Sequence, residues 1–149
     1  MYEFLQYRVE HVMTRKPVVI REDTPLREVG RLFEARGFNG LPVVDGDAML
    51  VGVVTKLDFL KAFSFSPESI VPRYAEILAR PARVVMKEDP ERVDPAMPLT
   101  RVLERMVATR LRSFPVVEGN RLVGVIARED VMAAVRRAAE RKGPAENRE

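Results

Sequence analysis

Two aspartates, each a fixed step beyond a strand-like run, carry the most pointed chemistry in this chain of 149 residues. Asp58 closes the run Gly52-Val53-Val54-Thr55-Lys56-Leu57-Asp58, and Asp130 closes Gly124-Val125-Ile126-Ala127-Arg128-Glu129-Asp130. An ionised carboxylate offers two acceptor oxygens and can take both hydroxyls of a ribose at once. The same residues also suit a helix start. Thr55 with an acid three residues on is a capping-box pattern, and an acid in the first turn favours a helix N-terminus on its own. Ala127 cannot cap, yet Asp130 is present, which tilts the balance toward a ligand without deciding it. Thr55 and Lys56 add a hydroxyl and a cation that suit a phosphate. In the second run the hydroxyl is lost at Ala127, and Arg128 is either a phosphate fork or an exposed helix charge.

Other chemistries are poorly supplied. The chain has no cysteine, and His11 is its one histidine, so neither a usual zinc site nor a Ser-His-acid triad can be assembled. No phosphate loop of the Gly-x-x-x-x-Gly-Lys type occurs. No catalytic residue and no metal ligand is assigned. The net charge is +3, from 25 basic and 22 acidic residues, and the two signs are interspersed. That pattern reads as a solvated surface and argues against nucleic acid as a partner. No apolar run is long enough to span a membrane, and the first ten residues lack the build of a signal peptide. The absence of cysteine fits a cytoplasmic location.

The elements that must position these aspartates read off as a hairpin followed by a helix. Leu41-Pro42-Val43-Val44 and Leu50-Val51-Gly52-Val53-Val54 flank a turn at Asp45-Gly46-Asp47. Phe114-Pro115-Val116-Val117 and Leu122-Val123-Gly124-Val125-Ile126 flank one at Glu118-Gly119-Asn120. The helices then run over residues 56 to about 63 and 128 to about 142, where Gly143-Pro144 should stop the second. Upstream, Thr24 reads as the N-cap of a helix with Pro25 at its first position and Gly37 as its stop. Leu26, Val29, Leu32 and Phe33 form its apolar face, with Leu99, Val102, Leu103, Met106 and Val107 as the later counterpart. Val18-Val19-Ile20 is a short strand, and Arg92-Val93-Asp94 a weaker one. The predicted class is α/β (α+β), in the order strand, helix, strand, strand, helix, twice.

The chain repeats itself. Met13 aligns with Met86, Pro17 with Pro90, Pro25 with Pro98 and Pro42 with Pro115, always 73 positions apart. After a one-residue deletion in a turn the offset is 72, pairing Gly52 with Gly124 and Asp58 with Asp130. Two copies predict a duplicated domain with pseudo-twofold symmetry. The expected organisation is an N-terminal helix and first copy over 1–64, a structured linker over 65–83, a second copy over 84–142 and a flexible tail over 143–149. Residues 73–79 suit one or two helical turns, and Ile70, Val71, Tyr74, Ile77 and Leu78 should be buried.

These residues resemble the CBS domain family, named after cystathionine beta-synthase. The resemblance rests on Val12-Met13, Pro17, Leu41-Pro42-Val43-Val44-Asp45 and the Asp58 run, then on Val85-Met86, Pro90, Phe114-Pro115-Val116-Val117-Glu118 and the Asp130 run. It covers residues 9 to 140, and Ala127 departs from the family's Ser or Thr. It implies that the repeats pair into a Bateman module with two clefts that take AMP, ADP, ATP, S-adenosylmethionine or dinucleotides. It also implies a homodimer that regulates a partner protein. Asn39, Gly40, Leu41 and Pro42 are then expected to meet the adenine, as are Ser113, Phe114 and Pro115 in the second copy, where Phe114 suits the core better. Thr55, Lys56 and Asp58 would hold phosphate and ribose, with Arg128 and Asp130 as counterparts.

The opening segments differ in charge. Lys16, with Pro17 and Val18 after it, follows the basic Thr14-Arg15, whereas Lys87-Glu88-Asp89-Pro90-Glu91 is largely acidic. Coulomb's law then favours polyphosphate at the first copy, and leaves the second weaker, empty or selective for a less charged ligand. The leading reading is a stand-alone regulatory module, not an enzyme, with no obligatory cofactor and an unknown effector protein. The alternative is a ligand-free interaction module.

Overall fold

The computed structural model describes residues 2–64 and 73–146. In chain order the elements are α1 (Tyr2–Gln6), α2 (Val9–Val12), β1 (Thr14–Arg15), α3 (Leu26–Ala35), β2 (Gly40–Val44), β3 (Leu50–Thr55) and α4 (Lys56–Lys61). They continue with α5 (Tyr74–Leu78), a 3-10 turn (Ala82–Val84), β4 (Lys87–Glu88), α6 (Leu99–Thr109), β5 (Ser113–Glu118), β6 (Arg121–Ala127) and α7 (Arg128–Glu146). This is an α+β fold with two antiparallel three-stranded sheets, β2-β3-β4 and β1-β6-β5.

Each sheet belongs to one compact unit, and the units are not cut where the sequence copies are. One unit is Val18–Pro90; the other joins the segment ending at Pro17 to everything from Glu91 onward. The opening strands are exchanged. β1 of the first copy pairs with β6, Arg15 opposite Gly124, and β4 of the second pairs with β3, Glu88 opposite Gly52. The two glycines permit this. A Cβ on Gly52 would lie 2.8 Å from the Lys87 carbonyl oxygen, and one on Gly124 would lie 2.7 Å from that of Thr14. A strand interior that another backbone approaches so closely requires glycine.

The described end of the linker is likewise part of a repeat. Arg8 bridges Pro98 in one unit as Pro81 bridges Pro25 in the other, at the offset of 73. Leu99 N–H donates to the Tyr7 carbonyl at 3.0 Å, and Leu26 N–H to that of Arg80 at 2.9 Å. α5 and the 3-10 turn thus stand to the Val18–Pro90 unit as α1 and α2 stand to the other, so the N-terminal helices pack on the second copy. Val9 and Ala82, which correspond, are both fully buried. Ile70 and Val71 lie outside the described residues. Tyr74 is 56% exposed, against expectation, with its ring 6.1 Å from that of Phe63.

Several local expectations are corrected. Val18-Val19-Ile20 forms no strand; Ile20 alone makes a parallel bridge to Val43, and Val93 makes the same bridge to Val116. The chain turns away directly afterwards, because Arg21 N–H donates to Thr24 Oγ1 at 2.9 Å. That bond also removes Thr24 from the helix end, where Pro25 is the last extended residue. α3 stops at Ala35 and Arg36 is extended, so Gly37 provides no left-handed cap. Its counterpart Arg110 does adopt φ 61° and caps α6. α7 continues through Gly143 and Pro144 to Glu146. Proline this near a helix end forfeits one N–H, and about four turns already stand behind it.

Each unit has its own core. Ile20, Leu26, Val29, Leu41, Val43, Val54 and Ala82 fill one. Val9, Leu99, Val102, Phe114, Val116, Ile126 and Ala134 are central to the other. The two hairpins differ at their tips. Gly119 and Asn120 both have positive φ, as a tight two-residue turn needs. The earlier, longer turn is held instead by Asp45 Oδ1, which accepts from Asp47 N–H at 2.8 Å and Met49 N–H at 3.1 Å.

Candidate ligand-binding motifs

Strand register assembles each motif. Gly40 lies opposite Thr55 and Leu41 opposite Val54, which sets residues 39–42 beside the start of α4. Ser113 lies opposite Ala127 and Phe114 opposite Ile126, which does the same at the start of α7. Val18 shares a unit with Asp58, whereas Lys16 and Pro17 belong with β1 to the unit that holds Asp130. The exchange of β1 and β4 therefore moves the charge of each opening segment to the other copy's sheet. Arg15 and Lys16 accompany the sheet of Ala127, and Glu88 and Asp89 that of Thr55. The basic segment expected beside the first-copy motif thus belongs to the unit that holds the second.

Asp58 is the single buried charged residue among those described. Its Oδ2 accepts from Thr55 N–H at 2.9 Å, and its own N–H donates to Thr55 Oγ1 at 3.1 Å. This reciprocal capping box satisfies two helix-end donors. Asp58 Oδ1 accepts nothing among the described residues, and no fully buried side-chain polar atom there lacks a partner, so Oδ1 meets solvent. One oxygen thus holds the helix start while the other remains an open acceptor. Thr55 Oγ1 accepts the Asp58 N–H and keeps its own proton to donate. Lys56 is exposed.

The second motif is built differently. Asp130 Oδ2 accepts from Ala127 N–H at 2.8 Å, without a hydroxyl to return the bond. Burial pushes the Asp130 carboxyl above the usual carboxylate range; Glu129 adds to the rise and the Ala127 N–H opposes it. The Arg128 fork is committed to backbone. Its Nη2 donates to the Arg110 carbonyl at 2.5 Å and its Nε to that of Leu111 at 3.2 Å, while Arg128 N–H donates to that of Arg112 at 2.9 Å.

The expected adenine contacts divide. Leu41 and Phe114 are wholly buried, and Pro42 and Pro115 are buried with them. The core reading of Phe114 holds, with the Arg105 guanidinium 5.2 Å above its ring. Asn39, Gly40 and Ser113 are half-buried and reachable.

Sequence reasoning missed a groove of about 300 Å³ between α6 and α7, lined by Leu103, Met106, Val107, Arg110, Arg128, Val131 and Met132. Leu103 and Val107, expected on the core stripe, stand 40% and 73% exposed there. The signal was available in the alignment of the copies. Leu103 and Val131 stand where the first copy has Gly30 and Phe59, whose ring comes within 3.0 Å of a Cβ on Gly30 and fills that space.

The model of the CBS domain matches residues 9–64 and 82–137. This chain belongs to the CBS domain family. Its fold is that of solved CBS pairs. AcuB from Vibrio cholerae is 28% identical, with a TM-score of 0.79 over 94% of this chain and 98% of that one. CBSX2 of Arabidopsis thaliana, in complex with AMP, is 24% identical, with a TM-score of 0.76 over 89% and 98%. The CBS domain pair of protein MJ0100, with 5′-methylthioadenosine and S-adenosylmethionine, is 22% identical, with a TM-score of 0.69 over 85% and 94%. No helix among the described residues is long and apolar enough to cross a membrane.

Proposed function

We propose that this CBS pair is a regulatory module, without catalytic activity, that binds an adenine nucleotide (AMP, ADP or ATP) or S-adenosylmethionine and signals occupancy to a partner protein. The observation that carries the reading is Asp58. A buried carboxylate at a strand-to-helix junction keeps one solvent-facing oxygen, with a free hydroxyl proton beside it on Thr55. A ribose and a phosphate ask for that combination. CBSX2 with AMP and the MJ0100 pair with its two adenosyl ligands support it by their shared fold. The Asp58 motif is the main site, on the strength of Thr55 and Lys56 rather than of the opening segment. The ligand acts through its differential affinity for two conformations, and α7 is a surface for a homodimer or effector.

Thermal unfolding against AMP, ADP, ATP and S-adenosylmethionine tests this. A ligand at about 100 times its Kd adds about 2.7 kcal/mol, which for a chain of this size raises Tm by roughly 5–10 °C. The rise is expected with at least one of the four and should fall in Asp58→Ala to what the Asp130 motif alone supplies. A second reading, an interaction module without a ligand, is favoured by Ala127 and by the committed Arg128 fork. It predicts no shift with any of the four.

A further inference from the structure

We infer that Arg128 is a positioning residue for the Asp130 motif and not a ligand for phosphate. It clamps the 110–112 turn, which leads directly to Ser113 opposite Ala127. The inference rests on the proposed adenosyl-binding reading.

The clamp takes three consecutive carbonyls. Two go to the side chain and one to the backbone N–H of the same residue. A planar fork suits this because two of its donors sit in fixed relation. The carbonyls follow directly on the C-terminus of α6, the end of a helix that favours a cation. To turn its Nε–Nη2 edge to a phosphate, the guanidinium would have to release both, and only Nη1 and the second Nη2 hydrogen stay outside the clamp.

The turn also needs holding. Arg110 is left-handed at φ 61°, a conformation that side chains with a Cβ avoid. Its own carbonyl is the one that Arg128 Nη2 meets. In the first copy the corresponding Gly37 is not left-handed, Arg36 is extended, and the residue aligned with Arg128 is the exposed Lys56. Strain and clamp are present together in one copy and absent together from the other. The clamped segment continues into β5, so its position sets where Ser113 stands against Ala127.

The test uses the full chain in two arms. In the first, hydrogen exchange without ligand follows the amides of Arg110 and Leu111, which bond to the Met106 carbonyl and Thr109 Oγ1. Arg128→Gln and Arg128→Lys should both speed their exchange relative to wild type; unchanged rates overturn the clamp. In the second, Asp58→Ala isolates the Asp130 motif, and calorimetry measures adenosine and AMP before and after Arg128→Gln. Both ligands should weaken by the same factor, roughly fivefold, as expected for one lost preorganising tie. Loss confined to AMP, or AMP affinity restored by Arg128→Lys, shows that charge on phosphate is what matters and overturns the inference. If wild type binds neither ligand, the adenosyl reading itself falls, while the exchange arm still decides the clamp; if wild type binds and Asp58→Ala does not, the Asp130 motif is no ligand site and the positioning role falls.

Discussion

The two copies build one backbone plan with unlike side chains. At the strand-to-helix junction, the first closes a reciprocal cap between Thr55 and Asp58, while the second has a single bond from Ala127 N–H to Asp130. Beneath the helices the first is filled by Phe59 against Gly30, and the second leaves an apolar groove between α6 and α7. At the helix end the first stops at an extended Arg36, whereas the second runs into a left-handed Arg110 held by Arg128. Duplication preserved what the sheet requires, namely the hairpin register and the glycine beneath each exchanged strand. It released what the sheet does not require.

That comparison can be broken most forcefully at the filled site. Phe59→Ala should destabilise by about 3 kcal/mol, and Val131→Ala by about half as much, because the aromatic ring removes a larger volume. Equal losses in urea unfolding would mean that the two spaces are packed alike. The shared glycines come next. Gly52→Ala and Gly124→Ala should each cost about 2 kcal/mol, since the Cβ meets a backbone oxygen under 3.0 Å away that cannot rotate aside. Wild-type urea midpoints in both variants would remove close approach as the reason for glycine.

The junctions sharpen the contrast in opposite directions. Thr55→Ala should lose about 1 kcal/mol, and Ala127→Thr should gain up to about the same, by opening and closing a capping box respectively. The reciprocal pair is checked by thermal unfolding, and a neutral Ala127→Thr would show that the second junction cannot accommodate the cap. The smallest effect is on pH. The fold raises the Asp130 carboxyl above its unfolded value, so the native chain binds that proton more readily than the unfolded chain. Stability contributed by this group is therefore lost as pH rises from about 4 through the raised value. Relative to Asp130→Asn, wild type should weaken across that rise and then hold a constant difference. A wild-type advantage growing with pH would reverse the sign.

The repeat, the fold class and both aspartates were legible in the sequence because they depend on local pattern. Alternation and turn residues fix a hairpin, and the spacing from Gly52 to Asp58 fixes where a carboxylate follows a strand. The short-range rules failed where a distant or competing partner intervened. Thr24 was drawn off the helix end by Arg21 N–H, and Leu103 and Val107, expected on the core stripe, face an open groove. Lys56 and Arg128 are aligned and both basic, yet only the Arg128 side chain donates to carbonyls, seventeen and eighteen residues away. The opening strands mislead for a similar reason. Composition assigned their charge to the copy they precede, but strand pairing placed each on the other sheet. The sequence by itself determined the two hairpins and the place of each aspartate after its strand, because those follow from a residue and its neighbours in the chain. The tertiary structure alone decided which sheet each opening strand joins and which cation is committed. Those outcomes depend on non-local hydrogen bonds and on close approach to a glycine, and neither leaves a local pattern.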